Sequence, residues 1–182
     1  MRPTRRTSAL VSAITALTLL VGCGSDSPEP AANDSSSEGP SGDAPPMPEQ
    51  AKGDSEEGAK AFAGYWVENL NYATTTGDTQ QLKTLGTEQC TACTDFASTL
   101  EQIYTAGGKV ESAGWDVQAA TPIAGKPQEM PALQMDVLVS PQKVTEREGA
   151  KVQSFKGGPQ AMTIFLVRRD DGWLVNRLDI AV

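Results

Sequence analysis

The sequence predicts an α+β domain in which helices come first and an antiparallel sheet follows. Apolar residues recur at three- and four-residue intervals from about Glu56 to Ala106, then alternate one by one from Trp115 onward. Helical elements therefore precede consecutive strands, an order that favours an antiparallel sheet with its helices segregated to one side. The domain so defined runs from about Ser55 to Val182 and is long enough to bury a real core. No internal repeat is visible.

The elements follow in order. Glu56 to Thr75 reads as a helix, because Ala59, Phe62, Ala63, Trp66, Leu70 and Ala73 share one face. Gly77-Asp78 ends it, and Asp78 or Thr79 caps a short second helix through Leu85. A third helix spans about Thr91 to Ala106, with a stripe of Cys93, Phe96, Ala97, Leu100, Ile103 and Tyr104; Gly107-Gly108 stops it. In the first strand Trp115, Val117 and Ala119 alternate with Asp116 and Gln118. In the second, Leu133, Met135, Val137 and Val139 alternate with Gln134, Asp136 and Ser140. Met162, Ile164 and Leu166 define a third, and Arg169-Asp170-Asp171-Gly172 is a hairpin turn. The last strand, Trp173 to Val182, switches its inward set from Trp173 and Val175 to Leu178, Ile180 and Val182. A β-bulge is expected near Asn176 or Arg177.

Ahead of the domain stand Arg2, Arg5 and Arg6 without an acid, then an apolar run from Ala9 to Val21. That run has the length of a signal-peptide core and is short for a membrane-spanning helix. It ends in Leu20-Val21-Gly22-Cys23, which resembles the bacterial lipobox. The resemblance implies cleavage between Gly22 and Cys23 and diacylglycerol on the Cys23 thiol. An unpaired thiol in a flexible exported segment would oxidise, and acylation removes it. Two acyl chains suffice for stable anchoring, at about 0.8 kcal/mol per buried methylene. Arg5-Arg6 raises twin-arginine export beside the general secretory route, although Thr7 and Ser8 lack the apolar character of such signals. Residues 24 to 54 are Ser, Pro, Gly, Ala, Asp and Glu with almost nothing apolar, which predicts a disordered tether. The expected organisation is a signal peptide over 1–22, a lipidated cysteine and polar linker over 23–54, and an extracytoplasmic domain over 55–182.

The chain carries 15 basic and 23 acidic residues, a net charge of −8. Loss of residues 1–22 removes three arginines and no acid, which brings it to about −11. Such a surface opposes nucleic acid and opposes docking on anionic lipid by charge. There is no histidine. The commonest general base, the commonest metal ligand and every Ser-His or Cys-His nucleophile pair are therefore missing. No cofactor or metal is expected.

With Cys23 acylated, Cys90 and Cys93 remain, and in an exported protein they are expected to pair as a disulfide. A Cys-x-x-Cys at a helix start also suits thiol–disulfide exchange, since the helix dipole favours thiolate. Against this, a helical pattern rather than a strand precedes the motif, and Gln89 stands where thioredoxins carry tryptophan. Zinc would find only half of its tetrahedron. Gly157-Gly158-Pro159 lacks the Lys-Ser/Thr of a phosphate loop and reads as a turn.

The order of elements resembles the cone-shaped superfamily of nuclear transport factor two, ketosteroid isomerase and scytalone dehydratase. It implies amino-terminal helices packed on a bent antiparallel sheet, with a ligand pocket between the two layers. The stretch "GAKAFAGYWVENLNYATTTGDTQQL", Gly58 to Leu82, and "CTAC", Cys90 to Cys93, also resemble a family of actinobacterial candidate lipoproteins that brings no known activity. Tyr65, Trp66, Tyr104 and Trp115 are the candidate pocket residues. Tyr65, Tyr72, Tyr104, Asp116 and Asp136 are the polar groups that could do chemistry there. Alternation places both aspartates opposite the apolar faces of their strands, where they are solvated, and the tryptophans are simplest as core anchors.

Three functions follow in order. The first is a non-catalytic, membrane-anchored envelope module that binds a partner protein, an envelope component or a small apolar ligand. The second is a pocket enzyme of isomerase or dehydratase type. The third is a thiol–disulfide exchanger. Phe165 and Val167 face outward from their strand and suggest a homodimer through the sheet.

Overall fold

The computed structural model describes residues 42–170 and 172–181. The signal segment, Gly22, Cys23, most of the linker, Asp171 and Val182 lie outside them. The element order is α1 (Glu56–Thr76), α2 (Gln80–Thr84), α3 (Thr91–Thr105), β1 (Lys109–Ser112), β2 (Trp115–Pro122), β3 (Ala132–Val139), β4 (Gln142–Thr145), β5 (Gln153–Phe155), β6 (Gly158–Arg169) and β7 (Gly172–Ile180).

Helix α1 begins where the Ser55 hydroxyl accepts a hydrogen bond from the Gly58 N–H at 3.1 Å. It ends at Gly77, whose φ of 78° only glycine adopts without cost. The six residues of its predicted stripe are all buried, and Tyr65, Val67, Asn69 and Tyr72 join them. The buried face is wide because α1 touches α2, α3, β1, β2 and β7 as well as the segment before it. At α2 the expected cap divides between two residues. The Asp78 carboxylate accepts from the Gln80 N–H at 3.0 Å, while the Thr79 hydroxyl turns away to donate to Glu101. Helix α3 stops at Gly107, φ 75°, with the Gly108 N–H returning to the Ile103 carbonyl at 2.8 Å.

The α+β class and the antiparallel pairing stand, but the bent, cone-shaped single sheet does not. The strands form two open sheets, one of four strands in the order β2-β3-β6-β7 and one of three in the order β1-β4-β5. Neither sheet closes. The cause is an alignment of breaks along the meander. Gly114, φ 93°, separates β1 from β2; Ser140-Pro141 separates β3 from β4; Lys156-Gly157 separates β5 from β6. The Ser140 N–H donates to the Gly114 carbonyl at 2.9 Å, and a Cβ on Gly157 would collide with the Val139 carbonyl. Each long excursion of the chain is thus cut at one level, and the pairing restarts as a separate sheet.

The predicted bulge in β7 is present. Phe165 pairs with Arg177 and Leu166 with Val175, leaving Asn176 unopposed. Trp173, Val175 and Leu178 are consequently all buried. A second irregularity, between Val117 and Ala119, moves the inward set of β2. Ala120 rather than the expected Ala119 packs on the core. The core lies between α1, α3 and the four-stranded sheet, centred on Phe62, Trp66, Leu70, Leu133, Met135 and Ile164.

The segment Pro45–Gly53 lies within the polar stretch read above as linker, and it packs on the domain. It carries a single 3₁₀ turn, Glu49–Lys52, and buries Ala51. The Trp173 indole N–H donates to the Gly53 carbonyl at 2.7 Å, and Arg168 donates to the same carbonyl at 2.8 Å and to Lys52 at 3.2 Å. The Tyr65 hydroxyl donates to the Pro45 carbonyl at 3.1 Å. A Cβ on Gly58 would collide with the Gly53 carbonyl, so this close approach requires glycine.

Candidate functional site

The site is a groove of about 760 Å³ between α3 and the inner face of the three-stranded sheet. From α3 it takes Ala92, Asp95, Phe96, Thr99, Leu100 and Ile103. The helical period sets these positions, three and four residues apart, on one side of α3. From the sheet come Val110, Val144 and Phe155, together with Gln142 and Gln153. Their selection follows from register: Val110 pairs with Val144, Val144 with Gln153 and Gln142 with Phe155, so these side chains share one face. Leu70 and Thr74 of α1, Trp115 and Ile180 complete the floor. A second depression of about 470 Å³ continues the groove past Phe96, Trp115 and Phe155 to Lys156.

Aromatic packing ties the groove to the core. Trp66 meets Phe96 edge-on at 6.2 Å between ring centroids, and Phe96 meets Trp115 at 5.8 Å. Trp115 is held from behind by Asn71 of α1. The Asn71 side-chain N–H donates to the Trp115 carbonyl and its oxygen accepts from the Trp115 N–H, both at 2.8 Å. One amide thus does the work of a neighbouring strand at the first residue of β2. A Cβ at Gly114 would strike that amide. Nothing in the sequence marks Asn71; a polar residue on a helix face carries no signal of the strand it will meet.

Of the sequence-predicted pocket residues, only Trp115 lines the groove. Trp66 is completely buried behind Phe96. Tyr65 is buried on the side of α1 that meets Pro45. Tyr104 donates to the Thr74 carbonyl at 2.7 Å and accepts from the Val110 N–H at 3.4 Å, so it joins the end of α1 to the end of α3. Burial pushes its hydroxyl pKa above the usual tyrosine range. The Tyr72 hydroxyl donates to Asp78 at 3.5 Å. Asp116 and Asp136 are exposed on the face of the four-stranded sheet away from the core, with Asp116 accepting from Gln118. None of the five polar candidates reaches the groove. Its carboxylates are Asp95 and Glu146, the latter held by Gln153 at 2.7 Å.

Cys90 and Cys93 form a disulfide, with Cα atoms 5.2 Å apart. Cys90 also caps α3, its sulfur accepting from the Cys93 N–H. The bond packs on Gly86, and the loop it stiffens pairs with the bulged part of β7. Leu85 accepts from Val175, Thr87 donates to Val175, and the Thr87 hydroxyl contacts Asn176 at 3.1 Å. Cys90 is fully buried and Cys93 nearly so. Exchange requires a thiolate to approach a sulfur in line, and burial opposes that approach. Outward-facing Phe165 is covered by its own chain, with Arg177 at 3.8 Å from the ring centroid and Lys126 at 5.8 Å. Val167 beside it is buried.

Among the described residues, no helix is long and apolar enough to cross a membrane. Among the same residues, no three His, Cys, Asp or Glu side chains gather as a metal site would need.

Residues 30–179 match the model of a family of unknown function, DUF6318. No curated protein matches the chain in sequence. Among solved structures, the intermembrane space region of the chloroplast protein ARC6 is similar with a TM-score of 0.49 and 8% identity, over 69% of this chain and 95% of that one. An uncharacterized protein with a cystatin-like fold from Caulobacter vibrioides is similar with a TM-score of 0.45 and 10% identity, over 71% and 92%.

Proposed function

We propose that this chain, which belongs to the DUF6318 family of unknown function, is an extracytoplasmic binding module held on a bacterial membrane through lipid on Cys23. Its ligand seats in the groove between α3 and the three-stranded sheet. The observation that carries this reading is the groove itself. Phe96, Leu100, Ile103, Val144 and Ile180 stand around an open space of about 760 Å³, within the range of ligand sites. Apolar side chains left facing such a space gain when another apolar surface fills it. The reading is of binding without catalysis, since every tyrosine hydroxyl is engaged elsewhere and the groove carboxylates stand exposed at its edge. The Leu20-Val21-Gly22-Cys23 motif and the likeness to actinobacterial lipoproteins support the lipid anchor and an envelope address.

Titration of the protein with the neutral apolar dye N-phenyl-1-naphthylamine tests the groove. Saturable fluorescence enhancement is expected, and Ile103→Glu should abolish most of it while far-ultraviolet circular dichroism stays unchanged. Equal enhancement by that variant overturns the assignment of the site. Cell fractionation of Cys23→Ala tests the anchor: loss of the protein from the membrane fraction is expected, and retention there overturns it.

A further inference from the structure

We propose that the occupant of this groove is an extended polypeptide segment of a partner protein, added as a fourth strand alongside β5, with apolar residues at alternate positions and lysine or arginine at the end away from Lys156. The inference rests on the groove reading above and names the class of its ligand.

Strand β5 is the outer strand of the order β1-β4-β5, so its far side offers main-chain N–H and C=O groups to a further strand. Native edges are usually blunted by charge or proline, yet Gln153-Ser154-Phe155 carries neither. All three residues are exposed; Phe155 within the strand is 52% and Val152 before it 55% exposed, and Lys151 and Lys156 stand outside the paired residues. The same edge bounds the groove. Gln153 and Phe155 face into it, whereas Ser154, one position out of phase, does not line it. A strand laid beside β5 would sit about 4.8 Å away. Its alternate side chains would then enter the space beneath α3, next to Phe155 and Phe96. Main-chain bonds would supply affinity and the alternate positions specificity.

Charge selects one end of that segment. The groove is lined by Asp95 and Glu146, while Lys156 stands in its continuation at the Phe155 end of β5. A basic residue at the end of the added strand away from Lys156 meets an acid there. The chain's own tether is a poor occupant on the same grounds. Between Cys23 and Ala51 it has no lysine or arginine, several acids, and methionine as its one large apolar residue.

The test uses the full-length chain and three synthetic peptides in isothermal titration and in amide chemical-shift mapping. The first alternates valine and threonine and carries lysine at one end. The second is the same with glutamate at that end. The third repeats the first with N-methyl groups on alternate amides of the edge meant to face β5. The lysine peptide is expected to bind saturably and to shift the amides of Gln153, Ser154 and Phe155. The glutamate peptide should bind about fivefold more weakly or worse, as should the lysine peptide to Asp95→Lys. The N-methylated peptide should lose at least about tenfold, since two or more main-chain bonds cannot form. Equal binding of the N-methylated peptide overturns strand addition, and equal binding of the glutamate peptide overturns the charge selection. Absence of saturable binding by the lysine peptide overturns the proposal outright. Concentration-dependent self-association that shifts the β5 amides without peptide overturns it in favour of a second copy. In every overturning case the dye titration still reports separately on the groove.

Discussion

The two sheets of this domain are made by the same run of chain and do opposite things with it. The inner face of the four-stranded sheet is filled. Leu133, Met135, Val137, Met162, Ile164 and Leu166 are at most 1% exposed, closed over by α1 and α3. The inner face of the three-stranded sheet is left open, and Gln142, Val144, Gln153 and Phe155 look across a groove at α3. The aligned breaks at Gly114, Pro141 and Gly157 allow this, because each sheet can meet the helices at its own distance. Burial on one side secures the fold, and incomplete burial on the other leaves apolar surface for use. A domain of this size can support both only by separating them.

The sharpest way to break that contrast is to truncate one β-branched side chain in each sheet. Ile164→Ala should cost about 2–5 kcal/mol in urea unfolding, because the cavity is walled on every side. Val144→Ala, a smaller truncation at a half-buried site, should cost under about 1 kcal/mol. Comparable losses would mean that the three-stranded sheet is as much a part of the core as the other.

Next in size is the joint between the sheets. Asn71→Leu removes both hydrogen bonds to the Trp115 backbone and leaves that N–H and carbonyl unsatisfied near the core. A loss of about 2–3 kcal/mol in thermal or urea unfolding is expected. Release of Trp115 should also weaken dye binding, whereas a purely structural role would leave binding unchanged at temperatures where the variant is folded. Smaller still is the amino-terminal clasp. Trp173→Phe keeps the packing and deletes the indole donor to Gly53, for about 1 kcal/mol. Faster proteolysis between Pro45 and Gly53 should accompany it, with the groove unaffected.

The smallest effect is electrostatic. Glu101 accepts from Lys83 and from Thr79, and these bonds hold its carboxyl below the usual glutamate range. A depressed folded-state pKa contributes stability above the unfolded value, and that stability is lost as pH falls through the folded one. The side chain is solvent-accessible, so screening keeps the effect slight. Wild type should lose marginally more stability than Glu101→Gln on acidification through the carboxylate range, and added salt should erase the difference.

What the sequence could show divides along the same line. The helical stripes of α1 and α3, the four long strands and the β7 bulge at Asn176 were legible, because burial imposes a period and a bulge shifts it. The second sheet was not. Its strands are three or four residues long and mostly polar, as in Lys109–Ser112 and Gln153–Phe155, so no alternation can build up. The single bent sheet inferred from element order failed for the same reason: Gly114, Pro141 and Gly157 read as ordinary turn residues until their alignment is seen. Trp115 was found as a pocket residue because a large aromatic at a strand start is conspicuous. Tyr65, Trp66 and Tyr104 lie off the groove because a helical wheel gives a face but not its neighbour. The Pro45–Gly53 clasp was hidden because it binds through its own backbone carbonyls, which every sequence possesses.

That clasp has a mechanical corollary. A pull arriving from the amino-terminal side does not reach the first turn of α1 directly. It must first break the bond between the Tyr65 hydroxyl and the Pro45 carbonyl, and then strip the Lys52 and Gly53 carbonyls from Arg168 and Trp173, which sit at the β6–β7 hairpin end of the best-packed sheet. Load is therefore shared between the middle of α1 and the β6–β7 hairpin, neither of which belongs to the wall formed by α3, β4 and β5.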